Sequence, residues 1–180
     1  MQKPVYHEYD EYRNRLSKLE EIQNLNIQPY PAKFTPDSHA LDLENIYQGE
    51  PVGHSEDGAL GTTPKVTVAG RLVLFRAMGK NAFAHLQDAT GRIQVMFNKD
   101  LTKVHGLSES ANDLSAMKFI EKKFDLGDLL GVTGHLFKTQ KGELTIFAKE
   151  VTLLCKTLLP LPDKNSGFTN FFKKIDHRWL

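Results

Sequence analysis

Apolar side chains recur every three to four residues at the start of the chain. Val5, Tyr9, Tyr12, Leu16, Leu19, Ile22 and Leu25 share one face, with Arg13, Arg15, Lys18 and Glu21 between them. That period predicts an amphipathic helix. Gln28-Pro29-Tyr30-Pro31 ends it, because proline lacks an amide proton and restricts the residue before it. Residues 35–64 are broken by Pro36, Gly49, Pro51, Gly53, Gly58, Gly61 and Pro64. LDLENIYQGE in that stretch reads as a short helix and residues 51–64 as loop.

At Lys65 the period changes to two. VTVAGRLVLF (66–75) reads as a strand with a bulge or bend at Gly70. AFAHLQD (82–88) and RIQVMFN (92–98) flank the turn Asp88-Ala89-Thr90-Gly91 and predict a hairpin. SANDLSAMKFIEKKF (110–124) returns to the helical period, with Leu114, Met117, Ile120 and Phe124 on one face. LLGVTGHLFK (129–138) and ELTIFAKEVTLLC (143–155) then form a second hairpin about Thr139-Gln140-Lys141-Gly142. Three strands, a helix and two strands is the order of an OB-fold, a five-stranded Greek-key barrel with a helix between strands three and four. The expected organisation is an N-terminal helical extension and loop over 1–64, a mainly β barrel over 65–156, and a connection over 157–180.

Composition narrows the function. The 180 residues hold 40% hydrophobic side chains, enough for a core. The single cysteine, Cys155, excludes a disulfide framework and a cysteine-rich zinc site, and its apolar neighbours suggest a core position. No apolar run is long enough to cross a membrane, and the polar N-terminus does not read as a signal peptide, so a cytoplasmic protein is expected. The net charge is only +1, which argues against a histone-like binder, but it is unevenly spread. Residues 1–50 carry five basic and nine acidic side chains, whereas residues 65–100 carry six basic and two acidic. The seven histidines form no pair at metal-ligand spacing, and no glycine-rich loop opens a helix as a phosphate cradle. The glycines of GDLLGVTG (127–134) are read as permitting barrel curvature.

Binding of unpaired bases needs a stacking aromatic, cations, and donors and acceptors aimed at base edges. Phe83, His85 and Gln87 alternate along one strand, Arg92, Gln94 and Met96 along the next, and Arg76 lies just before them. Alternation does not say which face turns inward, so Phe83 is either a core side chain or a platform.

Three stretches carry a resemblance to a known family. RLSKLEEIQNLNIQPYPAKF (15–34), VAGRLVLFRAMGKNAFAHLQDATGRIQVMF (68–97), and residues 125–167 from DLGDLLGVTGHLFKTQKGELTIFAKEVTLLCKTLLPLPDK to Ser166-Gly167 are similar to the N-terminal anticodon-binding region of class II lysyl-tRNA synthetases. The barrel alone also resembles the aspartyl and asparaginyl enzymes, and the first stretch and LLPLPDK favour the lysyl member. The resemblance implies that Phe83 stacks on the central anticodon base, Gln94 reads its edge, Arg76 lies beside the same uridine, and Glu143 sits near the first base. His85 is expected as a further contact, with Lys80, Lys138 and Lys141 serving the phosphate backbone. It also implies a tRNA partner with a lysine anticodon, and a full-length homodimeric ligase using ATP and magnesium. TNFFKKIDHRWL (169–180) matches the family's approach to its catalytic domain only loosely, and the ATP- and lysine-binding motifs are not in the sequence, so no cofactor and no catalysis are expected of these residues alone. The competing reading is a stand-alone OB module that binds single strands or a protein.

Overall fold

The computed structural model describes residues 5–108 and 115–160. Leu114, and the expected connection beyond Pro160, lie outside them. A 3-10 turn (Val5–Glu8) precedes helix α1 (Asp10–Asn24), followed by α2 (Ala40–Tyr47) and α3 (Ser55–Leu60). The strands are β1 (Lys65–Met78), β2 (Asn81–Gln87), β3 (Arg92–Asn98), β4 (Lys103–Val104), β5 (Leu129–Lys138) and β6 (Leu144–Cys155), with α4 (Ala116–Lys123) between β4 and β5.

The long strand β1 makes the barrel possible. Its first half pairs antiparallel with β5 and its second half with β2, with Arg71 matched to both Leu129 and Gln87. β2 pairs with β3, β5 with β6, and parallel pairing of β3 with β6 closes the cylinder. Five strands thus form the closed OB-fold, and closure leaves no open edge among them. The two-residue β4, which the sequence pattern did not show, adds to β6 in parallel. The irregularity expected at Gly70 falls instead between Leu72 and Leu74, and Gly70 keeps its regular partner Leu130. Gly134 does mark a bulge, where the β5–β6 register shifts between Thr133 and Gly134. A Cβ on Gly134 would lie 2.1 Å from the Phe147 carbonyl oxygen, and one on Gly131 would lie 2.4 Å from the Phe34 ring.

The barrel interior is filled by alternating positions. Ala82, Ala84 and Leu86 of β2 point inward with Val95 and Phe97 of β3, and Met117, Phe119, Ile120 and Phe124 of and beside α4 join the same core. Ala82 lies opposite Phe97 in the register, so a small side chain makes room for a large one. Phe83, His85 and Gln87 therefore take the outer face.

The helices depart from expectation in two places. Residues 51–64 are not all loop: α3 forms, with the His54 N–H donating to the Asp57 carboxylate and the Gly61 and Thr62 N–H groups donating back to the Asp57 carbonyl. A six-residue helix gains stability mainly from tertiary packing, and Gly58 brings α3 against Phe147. On α1, Arg15 is buried and Leu16 only half-buried, the reverse of the periodic reading. The Arg15 guanidinium donates to the Glu11 carboxylate and to the carbonyls of Leu126 and Thr157, which satisfies it inside. Beside it, Lys156 donates to Asp125 at 2.6 Å and Asp128 at 2.9 Å, and Lys18 reaches Asp125 at 2.5 Å. This ionic cluster ties α1 to the end of β6. Burial pushes the Asp128 carboxyl up despite Lys156. In Asp125 the bonds from Lys156 and Lys18 overcome burial and hold the carboxyl down. Cys155 is half-buried rather than a full core residue.

Candidate nucleic-acid interface

Four neighbouring strands bring together residues as far apart in the chain as Arg76 and Phe147. Arg76 on β1 lies opposite Phe83 on β2, Phe83 opposite Met96 on β3, and Met96 opposite Phe147 on β6. One step along, His85 lies opposite Gln94, and Gln94 opposite Thr145. The sheet therefore presents Arg76, Phe83, His85 and Gln94 as one outer patch. The β5–β6 turn folds over it, held by Gly142 N–H to the Thr139 carbonyl at 2.8 Å and Glu143 N–H to the Thr139 hydroxyl at 3.1 Å. That turn delivers Glu143, whose carboxylate is hydrogen-bonded to His85 Nε2 at 3.0 Å.

The patch is concave. A groove of about 470 Å³ is lined by Arg76, Met78, Phe83, His85, Gln94 and Glu143, among others. Phe83 is half-buried against a small outer cluster of Met96, Phe137 and Phe147, so it is neither fully in the core nor free in solvent. Gln94 is 8% exposed, yet its side-chain amide bonds to no protein group among the described residues. Among the described residues the buried side-chain polar atom without a partner is Thr63 Oγ1, so the Gln94 amide still meets solvent, and it lines the groove. Arg76 is exposed and forms no ion pair among the described residues. Met78, 63% exposed at the groove lip, lay beyond the strand expected over 66–75 and carried no sequence signal.

The three lysines differ. Lys141 is exposed and has no partner among the described residues, and Lys80 sits 3.9 Å from Asp100 at the surface. Lys138 is occupied in holding the Gln48 carbonyl at 3.1 Å. Arg92 is exposed and donates to the Gln87 side chain at 2.9 Å.

Sequence reasoning missed the contribution of α2. Glu44, Tyr47 and Gln48 line a second hollow of about 300 Å³ together with Arg92, Gln94 and Lys138. The helix itself was legible, but its docking was not. Its N-terminal amides bind the β2–β3 turn, Ala40 N–H to Asp88 at 2.8 Å and Leu41 N–H to Thr90 at 3.1 Å. Among the described residues no group of three or more His, Cys, Asp or Glu side chains is placed to hold a metal ion, and no helix is long and apolar enough to cross a membrane.

Comparison with known proteins agrees with this geometry. Residues 66–154 match the tRNA anticodon family described as an OB-fold nucleic acid binding domain. The whole chain is 48% identical over 180 residues to a lysine–tRNA ligase of Chlamydia caviae, covering 34% of that protein. It is 47% identical over 178 residues, or 99% of the chain, to that of Chlamydia felis, covering 34% of it. Against the lysine–tRNA ligase of Trichormus variabilis identity is 36% over 166 residues, which is 92% of the chain and 28% of the relative. The chain thus spans about a third of the length of the curated relatives it matches. The barrel, residues 66–154, is thus what the OB-fold nucleic acid binding family for tRNA anticodons matches, in a chain similar along its whole length to lysine–tRNA ligases.

Proposed function

We propose that the chain recognises the anticodon loop of a lysine-accepting tRNA for a longer lysine–tRNA ligase. The observation that carries this is the groove in which half-buried Phe83 lies with the Gln94 amide and the exposed guanidinium of Arg76, neither of them bonded to another side chain among the described residues. Phe83 supplies stacking, which any base satisfies. Gln94 presents a donor and an acceptor, the complement of a uracil edge. Arg76 donates to a carbonyl or phosphate. Glu143 accepts an imino proton from the neighbouring base, with His85 holding its carboxylate in place. Lys141 and Lys80 serve the sugar–phosphate backbone, while Lys138 positions α2 and adds only its field.

In the longer ligase, lysine is activated with ATP and magnesium and esterified to the tRNA, in a cytoplasmic homodimer. The identity to lysine–tRNA ligases along the whole chain supports that context.

Fluorescence anisotropy with a labelled anticodon stem-loop carrying UUU tests the reading. Binding is expected to weaken as salt rises and when the central uridine is changed. Phe83→Ala lowers affinity for both loops by about 1–3 kcal/mol, whereas Gln94→Ala mainly narrows the difference between them. Equal affinity of the unsubstituted chain for both loops refutes base reading, and competition by poly-dT as strong as by the UUU loop points to a non-selective single-strand binder.

A further inference from the structure

The methionines of the barrel are unequally protected. Of the four in the sequence, Met1 lies outside the described residues. Met96 is 4% exposed, beneath Phe83 in the outer apolar cluster, and Met117 is 5% exposed in the barrel core. Met78 is 63% exposed. It ends β1, paired with Asn81 across the turn of Gly79 and Lys80. Oxidation of a thioether follows its accessibility, so a small hydroperoxide reaches this sulfur first among the three.

Position matters as much as exposure. Leu74, Arg76 and Met78 recur at every second residue of β1 and line the same groove as Phe83. Arg76 lies opposite Phe83, and Met78 is the diagonal neighbour of that ring. Residues two apart on a strand are separated by about 7 Å, a gap that two long side chains span. The thioether is a soft apolar wall for a base stacked on Phe83. Its sulfoxide is polar and carries an acceptor oxygen. That oxygen accepts from the exposed Arg76 guanidinium, which then has one donor fewer for RNA. Oxidation here leaves the packing intact, because Met78 belongs to neither apolar cluster.

We infer that Met78 is an oxidation site at which hydrogen peroxide lowers the chain's affinity for RNA without unfolding it. This rests on the anticodon-loop reading above. The sulfur lone pair attacks one peroxide oxygen, the S–O bond forms as the O–O bond breaks, and the other oxygen leaves as water with both protons. Sulfur gives up two electrons and the peroxide takes them. Thiol-dependent methionine sulfoxide reductases reverse the change. In the test, the full chain is treated briefly with hydrogen peroxide and mapped by peptide mass. Met78 is expected to gain one oxygen well before Met96 and Met117, and a bound UUU stem-loop to slow that gain. By anisotropy the oxidised chain binds the loop about three- to tenfold more weakly, the effect of one hydrogen bond, with an unchanged urea midpoint. Reductase treatment restores the affinity. In Met78→Leu the affinity is the same before and after peroxide. Oxidation of Met96 or Met117 as fast as that of Met78 overturns the site. Undiminished binding by a chain oxidised at Met78, or an equal loss in Met78→Leu, overturns its effect on RNA. If the untreated chain binds no loop, the anticodon reading falls and the effect on RNA with it, while the mass map still decides where oxidation occurs.

Discussion

Replacing Asp88 by asparagine removes a charge while nearly preserving side-chain shape, at the point where the β2–β3 hairpin meets α2. Asp88 Oδ1 accepts from the Thr90 N–H at 2.7 Å, the Thr90 hydroxyl at 2.7 Å and the Gly91 N–H at 2.9 Å, and Oδ2 accepts from the Ala40 N–H at 2.8 Å. Burial alone would push the carboxyl up, but these four donors outweigh it and hold it at about 2, against 3.8 for the free group. A folded-state value below the unfolded one means that stability is fully present above about pH 4 and drains away as the pH falls toward 2. At 1.36 kcal/mol per pH unit the charged form contributes about 2.5 kcal/mol, which solvent screening near the surface reduces to about 1–2 kcal/mol. Urea unfolding at a series of pH values between 7 and 3 measures this. Asp88→Asn is expected to lose about 1–2 kcal/mol at pH 7, a midpoint shift of roughly 0.5–1 M urea, and the gap to the unsubstituted chain should close by about half at pH 3. A gap independent of pH would refute the charge as its source. No gap at pH 7 would refute the four-donor account altogether. Because Ala40 hangs on the same carboxylate, hydrogen exchange along α2 should speed up in the variant.

Lys156→Ala strands the Asp128 carboxylate in a site with 0% exposure. It should cost about 3–5 kcal/mol in urea unfolding, and Asp128→Asn in the same chain should restore part of it. Gly134→Ala drives a Cβ into the Phe147 carbonyl oxygen 2.1 Å away, and stability should fall by at least the roughly 1–3 kcal/mol of ordinary overpacking, read as a lower thermal midpoint. An unchanged midpoint would mean that the β5–β6 bulge relaxes without cost. Together with the loop-binding variants of Phe83 and Gln94, these test the anchor, the core and the groove separately.

Periodicity along the chain was enough to determine the number and order of the main elements, and with them the barrel. Hairpins with short polar turns pair their own neighbours, and α4 had an apolar face of the right length to plug the barrel end. The alternation in β2 and β3 also defined two sets of side chains, one with Phe83 and His85 and one with Ala82 and Ala84. It could not orient them, because a period of two is symmetric between faces. Orientation came from volume: Phe97 fills the interior opposite Ala82, which turns Phe83 outward onto Met96, Phe137 and Phe147. The same limit hid Arg15, whose burial depends on carbonyls at Leu126 and Thr157, more than 100 residues away. It hid α3, whose six residues are stabilised mainly by what they touch. The resemblance to anticodon-binding barrels singled out Phe83, Gln94 and Glu143 individually, but only tertiary structure set Glu143 against His85, left the Gln94 amide unpartnered, and laid α2 along the groove. Sequence determines which segments are strands and helices because that is a local balance of side-chain pattern and backbone propensity. Where α2 rests and which polar groups stay unsatisfied are decided by contacts between residues far apart in the chain, whose energies no local pattern contains.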